Sequence, residues 1–165
     1  MSLHILKNGI IEVDMGLPLF NFEEYKSSKN IFNYKGKKYF FCAVSVGNPH
    51  AVFFTKNINK LDLVDFANNF YKRLFFSGDV NISLVEEIKR NNWLARIHER
   101  GSGETMACGS AACAISLSVN NFKGISSKIN YVHMQGGKAQ VKWSGKEFEP
   151  VYLIGSSEYC LLYTS

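Results

Sequence analysis

One cysteine of this chain stands in a glycine-rich segment that could carry chemistry. Residues 98–112 read HERGSGETMACGSAA and place Cys108 immediately before a stretch of small residues. The start of a helix offers unpaired backbone N–H groups and a partial positive charge, which lower the pKa of a thiol and bind carboxylates. The segment therefore predicts a reactive Cys108 thiol next to a site for a carboxylate-bearing ligand.

The other three cysteines, Cys42, Cys113 and Cys160, lack glycine neighbours of this kind. Cys113 lies five positions after Cys108, about 140° around a helix, so we expect it to face elsewhere and to be structural. The wide, irregular spacing of the four cysteines indicates free thiols in a reducing compartment. The cysteines and histidines show no zinc-site spacing, so we expect no metal.

Five polar residues could serve a ligand or simply serve the fold. Arg100 could hold a carboxylate in a fork, or it could form a surface ion pair with Glu99. Asn48 and His50 could belong to a turn, or they could supply hydrogen bonds and proton transfer near neutral pH. Asn81 is a polar residue within a strand of β-branched residues. Taken singly, none of these residues outweighs its ordinary structural interpretation.

The composition limits the class of protein. The chain has 165 residues, 46% hydrophobic and 20% charged, which is typical of one globular domain. Its net charge of +5 comes from scattered lysines, so we expect an anionic small molecule as ligand and no nucleic acid. No apolar run is long enough to span a membrane, and residues 1–4 do not resemble a signal peptide, so we expect a cytoplasmic protein.

Short strands and two helices must position these residues. Alternating or β-branched runs bounded by turn signals predict the strands. These are residues 9–16, 39–46, 51–55, 79–88, 93–98, 128–134, 138–143 and 149–154. A hairpin turn is predicted at 33–38, and another turn at 47–50. The predicted class is α+β, with a mainly antiparallel sheet in a single domain, residues 1–165.

The two predicted helices differ in pattern. Residues 62–74 predict an outer helix whose apolar stripe consists of Val64, Ala67, Tyr71 and Leu74. Residues 110–120, SAACAISLSVN, are small or apolar nearly all round, which is typical of a buried helix. The sheet is therefore expected to curl around the second helix.

Four motifs together resemble the diaminopimelate epimerase family, in order and at similar spacing. They are GNPHAV at 47–52, VNI at 80–82, ERGSGET at 99–105 and ACGS at 107–110. The resemblance covers nearly the whole chain and points away from the related proline racemases, whose cysteine loop reads differently. It implies one half of the epimerase fold, a sheet curled into a barrel around a central buried helix.

The resemblance also implies an activity, that of an isomerase. Members convert LL-diaminopimelate to the meso form, on the route to lysine and peptidoglycan, without a cofactor. Two cysteines flank the substrate α-carbon; one removes a proton as thiolate and the other delivers one as thiol. The resemblance assigns the following residues of this chain to the site. Cys108, His50 and Glu99 would be catalytic, and Asn48, Asn81, Glu99, Arg100, Gly109 and Ser110 would bind the substrate.

Two departures from the family pattern bear on this expectation. Ser110-Ala111 stands where members usually have Thr-Gly, which keeps the hydroxyl group. The chain resembles only the C-terminal half, and no second Cys-Gly-Asn loop is present. We therefore expect the chain to be inactive alone and to need an N-terminal half or a second copy, with the tail at 151–165 packing against the missing half.

Two other functions remain open from the sequence. The chain could be a non-catalytic amino-acid-binding or interaction domain of the same fold, or a racemase of another amino acid, such as proline. The presence of Cys108 favours the epimerase half, and turnover of diaminopimelate would separate the three.

Overall fold

A computed structural model describes residues 2–25 and 30–156, apart from the side chain of Phe122. Within these residues the chain is mostly β-sheet with two α-helices. The strands are β1 Leu3–Ile5, β2 Ile10–Asp14, β3 Ile31–Tyr34, β4 Lys37–Ser45, β5 Pro49–Phe54, β6 Asn81–Lys89, β7 Asn92–Glu99, β8 Gly103–Thr105, β9 Ile129–Met134, β10 Gly137–Lys142 and β11 Tyr152–Ser156. The helices are α1 Leu63–Lys72 and α2 Gly109–Phe122, and short 3-10 turns lie at Lys7–Gly9 and Ile58–Lys60.

The strands form one mixed sheet. Its order is β1-β2-β11-β10-β9-β7-β6-β5-β4-β3, and β8 pairs with β7. The pairs β5–β6 and β7–β9 are parallel and the others are antiparallel. Parallel neighbours need a crossover, and α1 and α2 lie in the two connections concerned.

The predicted antiparallel barrel is therefore not confirmed. The described strands include two parallel pairs, and no pairing among them joins the terminal strands β1 and β3, so the sheet is open. The sequence patterns identified eight of the eleven described strands but not their direction, because direction depends on which helices cross the sheet.

Helix α2 is buried, as its sequence predicts. Every residue from Ala111 to Val119 is at most 2% exposed. Small side chains allow strands to pack close around the helix, and a polar face is absent from this stretch. Cys113 is fully buried within it, which confirms its predicted structural place.

The two faces of the sheet carry different cores. Successive side chains of a strand point to opposite faces, so Cys42 and Val44 of β4 pack with α2 while Phe41 and Ala43 pack with α1. We call these the α2 face and the α1 face. The buried aromatic residues of the α1 face are Phe22, Phe32, Tyr34, Tyr39, Phe41, Phe53, Phe66, Phe70, Phe75 and Phe76.

Helix α1 is confirmed, but its predicted apolar stripe is wrong in part. The buried residues are Leu63, Phe66, Ala67 and Phe70. By contrast, Val64 is 47% exposed and Leu74 is 74% exposed. The rings of Phe66 and Phe70 dominate burial because they reach the aromatic core, and Leu74 lies beyond the helix end with φ 54°.

The two ends of the described chain meet inside the sheet. Strand β11 lies between β10 and β2, so residues 152–156 of the predicted tail belong to the sheet. The rest of that tail, 157–165, and with it Cys160, lies outside the described residues. Strands β1, β3 and β8 are additional to the predicted set. Neither helix of the described chain is long and apolar enough to cross a membrane.

Candidate active site

Three strand ends lie side by side at one edge of the sheet, which is the edge where β5 and β6 begin and β7 ends. Strands β5 and β6 run parallel, with His50 level with Asn81, and β7 runs antiparallel to β6 and ends at Glu99. The start of α2 reaches the same edge, since the Asn48 amide lies 3.4 Å from the Ser110 hydroxyl. The topology therefore gathers the four sequence motifs that lie far apart along the chain.

The loop between β7 and α2 is held by an ion pair. Arg96 of β7 donates Nε to Glu104 Oε1 at 2.8 Å and Nη2 to Oε2 at 3.0 Å, and this carboxylate raises the pKa of the guanidinium. Gly101 and Gly103 have φ of 90° and 81°, a region that favours glycine. The turn they allow brings β8 back onto β7 and leads the chain to Cys108.

Cys108 precedes the first turn of α2 in an extended conformation, with φ −154° and ψ 119°. The Cys108 side chain makes no capping hydrogen bond at this helix start. Helix α1 differs, because the Asp62 carboxylate accepts from the Asp65 N–H at 3.1 Å. The start of α2 is thus free to present backbone donors at Gly109 and Ser110 to an anionic ligand.

A chain of polar contacts leads from the thiol into the sheet. The Ser110 hydroxyl lies 3.2 Å from Cys108 Sγ and accepts from the Asn48 amide at 3.4 Å. His50 Nε2 lies 3.2 Å from Asn48 Oδ1, an arrangement that requires the ring nitrogen to donate. Four of the residues that the resemblance assigns to the site are therefore in contact, in the order His50, Asn48, Ser110 and Cys108.

The thiol of Cys108 is not acidified, contrary to the sequence prediction. Burial raises its pKa above the ordinary value, and the nearby Glu99 carboxylate adds to the rise. The nearby Ser110 hydroxyl and Ala111 backbone N–H lower the pKa, but they do not cancel this rise. The helix start is present as predicted, but burial of the thiol disfavours its charged form.

His50 is fully buried, and burial lowers its pKa to about 3. The imidazole is neutral at physiological pH, and its Nδ1 is buried without a hydrogen-bond partner in the described chain. Its described contact is with Asn48 and not with the thiol. This geometry fits a ring that orients Asn48 better than one that exchanges protons with a ligand.

Glu99 and Arg100 diverge. The Glu99 carboxylate approaches Cys108 and accepts from the Thr105 hydroxyl at 3.3 Å. The Arg100 guanidinium instead lies over the ring of Tyr71, 4.9 Å from its centroid, beside Asp79. The surface ion pair between Glu99 and Arg100, the ordinary alternative considered above, is therefore not the arrangement found.

Three residues at this edge were not assigned from the sequence. Thr105 lies in the recognised ERGSGET motif and could have been found there. Tyr71 was assigned to an apolar helix stripe, and His98 to a strand, so neither pattern indicated a contact with the site. Within the described residues, no three His, Cys, Asp or Glu side chains are placed to hold a metal ion.

The family model described as diaminopimelate epimerase matches residues 42–160 of this chain. Curated diaminopimelate epimerases are similar along most of this chain. The protein of Buchnera aphidicola subsp. Baizongia pistaciae is 30% identical, with 94% of this chain and 56% of its own length covered. That of Blochmanniella floridana is 33% identical, with 96% and 60% covered, and that of Acetivibrio thermocellus 34%, with 90% and 55%. The chain therefore spans little more than half the length of these relatives.

Solved structures share the fold at low identity. A PhzF-family phenazine biosynthesis protein from Bacillus anthracis superposes with a TM-score of 0.60 at 14% identity, over 94% of this chain and 60% of that one. A hydroxyproline epimerase from Agrobacterium vitis gives 0.61 at 9% identity, over 88% and 48%. At such identities the likeness concerns the fold alone.

Proposed function

We propose, because the chain belongs to the diaminopimelate epimerase family, that it forms the C-terminal half of an enzyme that inverts the α-carbon of diaminopimelate without a cofactor. The observation that carries the proposal is the position of Cys108. Its thiol stands at the uncapped start of α2, in contact with Ser110 and next to Glu99. A proton-transfer group and a binding place for an anion therefore coincide.

The reaction needs two thiols in opposite states. A thiolate on one face of the α-carbon takes its proton, and the electron pair of the broken C–H bond delocalises into the substrate carboxylate. A thiol on the other face gives its proton to the carbon, so the two sulfurs exchange protonation states and the substrate is inverted. Fixed donors stabilise the carbanion, and a dry site keeps competing water away.

Cys108 fits the thiol in this pair. Its raised pKa keeps the proton on sulfur at rest, because burial and the Glu99 carboxylate both disfavour the thiolate. The Ser110 hydroxyl can donate to the sulfur once the proton has left, since the Asn48 amide already occupies one of its acceptor positions. The polar contacts of Ser110 and Asn48 thus support Cys108 both as a thiol and as a thiolate.

The substrate carboxylate fits the start of α2. Backbone N–H groups of Gly109 and Ser110 would bind it, as the helix dipole favours negative charge there. Asn48 and Asn81 lie at the adjoining strand starts and would take the amine and carboxylate groups, together with Glu99 and Arg100. His50 would act through Asn48, whose amide it orients.

The second thiol is expected from another polypeptide segment. Cys42 and Cys113 are 6% and 0% exposed, and both pack in the core of the α2 face. The curated relatives are nearly twice as long as this chain, which supports an N-terminal half as the source. A second copy of this chain is the alternative partner.

Proton exchange at the α-carbon of diaminopimelate in deuterated water tests the proposal. Residues 1–165 alone should give negligible exchange, and adding the N-terminal half of the Acetivibrio thermocellus relative should start it. In that mixture Cys108→Ser should lose about 10²–10⁴-fold in rate, the usual worth of a general acid or base. Cys113→Ala, a change at a buried cysteine of the same helix, should retain most of the activity.

Each other outcome selects a different function. Exchange by the chain alone that survives Cys108→Ser would overturn the two-thiol mechanism. Exchange by the chain alone that needs Cys108 and rises steeply with protein concentration would indicate a homodimer. Binding of diaminopimelate without exchange in any mixture would identify a binding domain, and exchange of proline instead would identify another racemase.

A further inference from the structure

Tyr71 contacts the site from the opposite side of the sheet. It lies in the last turn of α1, which covers the α1 face, whereas Cys108 begins the helix of the α2 face. The Arg100 guanidinium stacks over the Tyr71 ring, with 4.9 Å between the guanidinium carbon and the ring centroid. This ring therefore touches a residue that the proposed function assigns to substrate binding.

The Tyr71 hydroxyl joins two strand ends of the site. It lies 3.2 Å from the Val80 carbonyl, directly before Asn81, and 3.0 Å from His98 Nδ1, two residues before Arg100. Burial raises the pKa of Tyr71 to about 12, so the hydroxyl keeps its proton. It donates this proton to the Val80 carbonyl and can then accept from an Nδ1–H of His98.

The remaining contacts of Arg100 hold it less firmly. Its Nε lies 3.6 Å from Asp79 Oδ1, and the Asp79 side chain is 84% exposed. Its Nη1 donates to the Gly78 carbonyl at 3.4 Å, a long hydrogen bond. Exposed ion pairs of this length are weak and are screened by salt, whereas a ring fixes the plane of a guanidinium.

We propose that Tyr71 is a positioning residue that fixes the plane of the Arg100 guanidinium next to the end of β7, and so sets the orientation in which this group would meet a substrate carboxylate. The inference rests on the proposed function for the identity of the carboxylate. The stacking itself is a property of this chain and can be tested without activity. Because the hydroxyl also braces the start of β6 at Asn81 and the end of β7 before Arg100, loss of the side chain should loosen substrate binding more than it slows proton transfer.

The stacking is tested by NMR of the arginine Nε–Hε groups in residues 1–165. The chain has four arginines, Arg73, Arg90, Arg96 and Arg100, so each signal can be assigned by a single Arg→Lys substitution. Tyr71→Leu should move the Arg100 signal to a position without a ring-current shift and sharpen it through greater motion. Arg73, which lies 5.6 Å over Phe75, is the internal control and should not move.

Two further variants separate the contributions of the Tyr71 ring and of the Asp79 ion pair to the position of Arg100. Tyr71→Phe keeps the ring and should largely preserve the Arg100 shift, so it serves as the variant that is safest for folding. Asp79→Asn removes the ion pair and should change the signal little. An Arg100 signal that ignores Tyr71→Leu, or responds more strongly to Asp79→Asn, would overturn the proposal.

Kinetics of the chain reconstituted with the N-terminal half give the functional readout. Tyr71→Leu should raise KM for diaminopimelate by about fivefold to tenfold with kcat within about twofold, as expected for the loss of one cation–π contact. Tyr71→Phe should restore most of the KM. A fall in kcat at constant KM would contradict positioning while leaving the epimerase assignment intact. Absence of activity in the wild-type mixture would count against the proposed function alone, since the NMR result decides the stacking.

Discussion

The two faces of the sheet use the same strands for different purposes. The α1 face is filled with aromatic rings, and its helix start is capped by Asp62. The α2 face is filled largely with small and branched aliphatic residues, and its helix start at Cys108 has no capping side chain. The side chains of the α1 face serve packing. The α2 face, by contrast, presents backbone donors and the Cys108 thiol at the start of its helix.

This difference shows how a small domain can hold a site without losing its fold. Large rings bury much apolar area and stabilise the sheet from one side. The close-packed α2 can then be enclosed at its middle and open at its start. The stacking of Arg100 on Tyr71 links the end of β7 to the helix of the α1 face.

The largest expected effect tests whether the aromatic face dominates stability. Phe53 and Val52 are neighbours on β5, both fully buried, and they point to opposite faces. Phe53→Ala should lower the free energy of unfolding by about 3–5 kcal/mol, because its ring packs against several others. Val52→Ala should cost about 2 kcal/mol for two buried methyl groups. Urea unfolding measures both, and a larger loss for Val52→Ala would reverse the comparison.

An intermediate effect comes from the buried imidazole of the α2 face. The folded-state pKa of His50 is about 3, and the unfolded value is about 6.5. Between these values the unfolded chain binds a proton that the folded chain does not, so stability falls as pH falls through this window. The loss attributable to His50 between pH 7 and pH 5 should be about 1–2 kcal/mol.

The matched variant for this prediction is His50→Gln, which does not titrate. Urea unfolding at the two pH values should show a smaller loss of stability for the variant than for the wild type. His98 and His133 are present in both proteins and cancel in the comparison. An equal pH dependence in the two proteins would mean that the pKa of His50 is not lowered in the folded state.

The smallest expected effect concerns the two helix starts. Asp62→Ala should cost about 1 kcal/mol, because the Asp65 N–H at the start of α1 loses its acceptor. Asp62→Asn should retain most of the stability, since asparagine caps a helix about as well. Thermal unfolding of the two variants decides the matter. Equal damage from both would attribute the effect to the charge of Asp62 and not to its hydrogen bond.

Local patterns in the sequence predicted much of the fold. The all-round apolar character of residues 110–120 identified the enclosed helix, and the turn at Lys35 and Gly36 lies where the hairpin was predicted. The direction of β6 and β9 was not available from these patterns, because it depends on crossovers through α1 and α2. The stripe of α1 was displaced because rings far apart in sequence decide which side is buried.

The sequence motifs predicted that some of the assigned residues lie together, but they did not predict the electrostatic environment of Cys108. The motifs assigned Asn48, Ser110 and Cys108 to one site, and these three residues are in contact in the structure. A helix start alone predicted an acidified thiol, whereas burial and Glu99 determine the opposite direction. Burial and the approach of distant carboxylates are properties of the folded chain, which a local motif does not contain.

The pairing of β2 with β11 has a consequence for how the chain is made. Val13 pairs with Leu153, and the Met15 N–H donates to the Val151 carbonyl at 2.9 Å, so partners about 140 residues apart complete this part of the sheet. During synthesis the edge of β2 that pairs with β11 stays unpaired until about 140 further residues have followed it out of the ribosome. Contacts of such long range slow folding and leave apolar edges open to association. Nascent chains that end before β11 should therefore depend on chaperones.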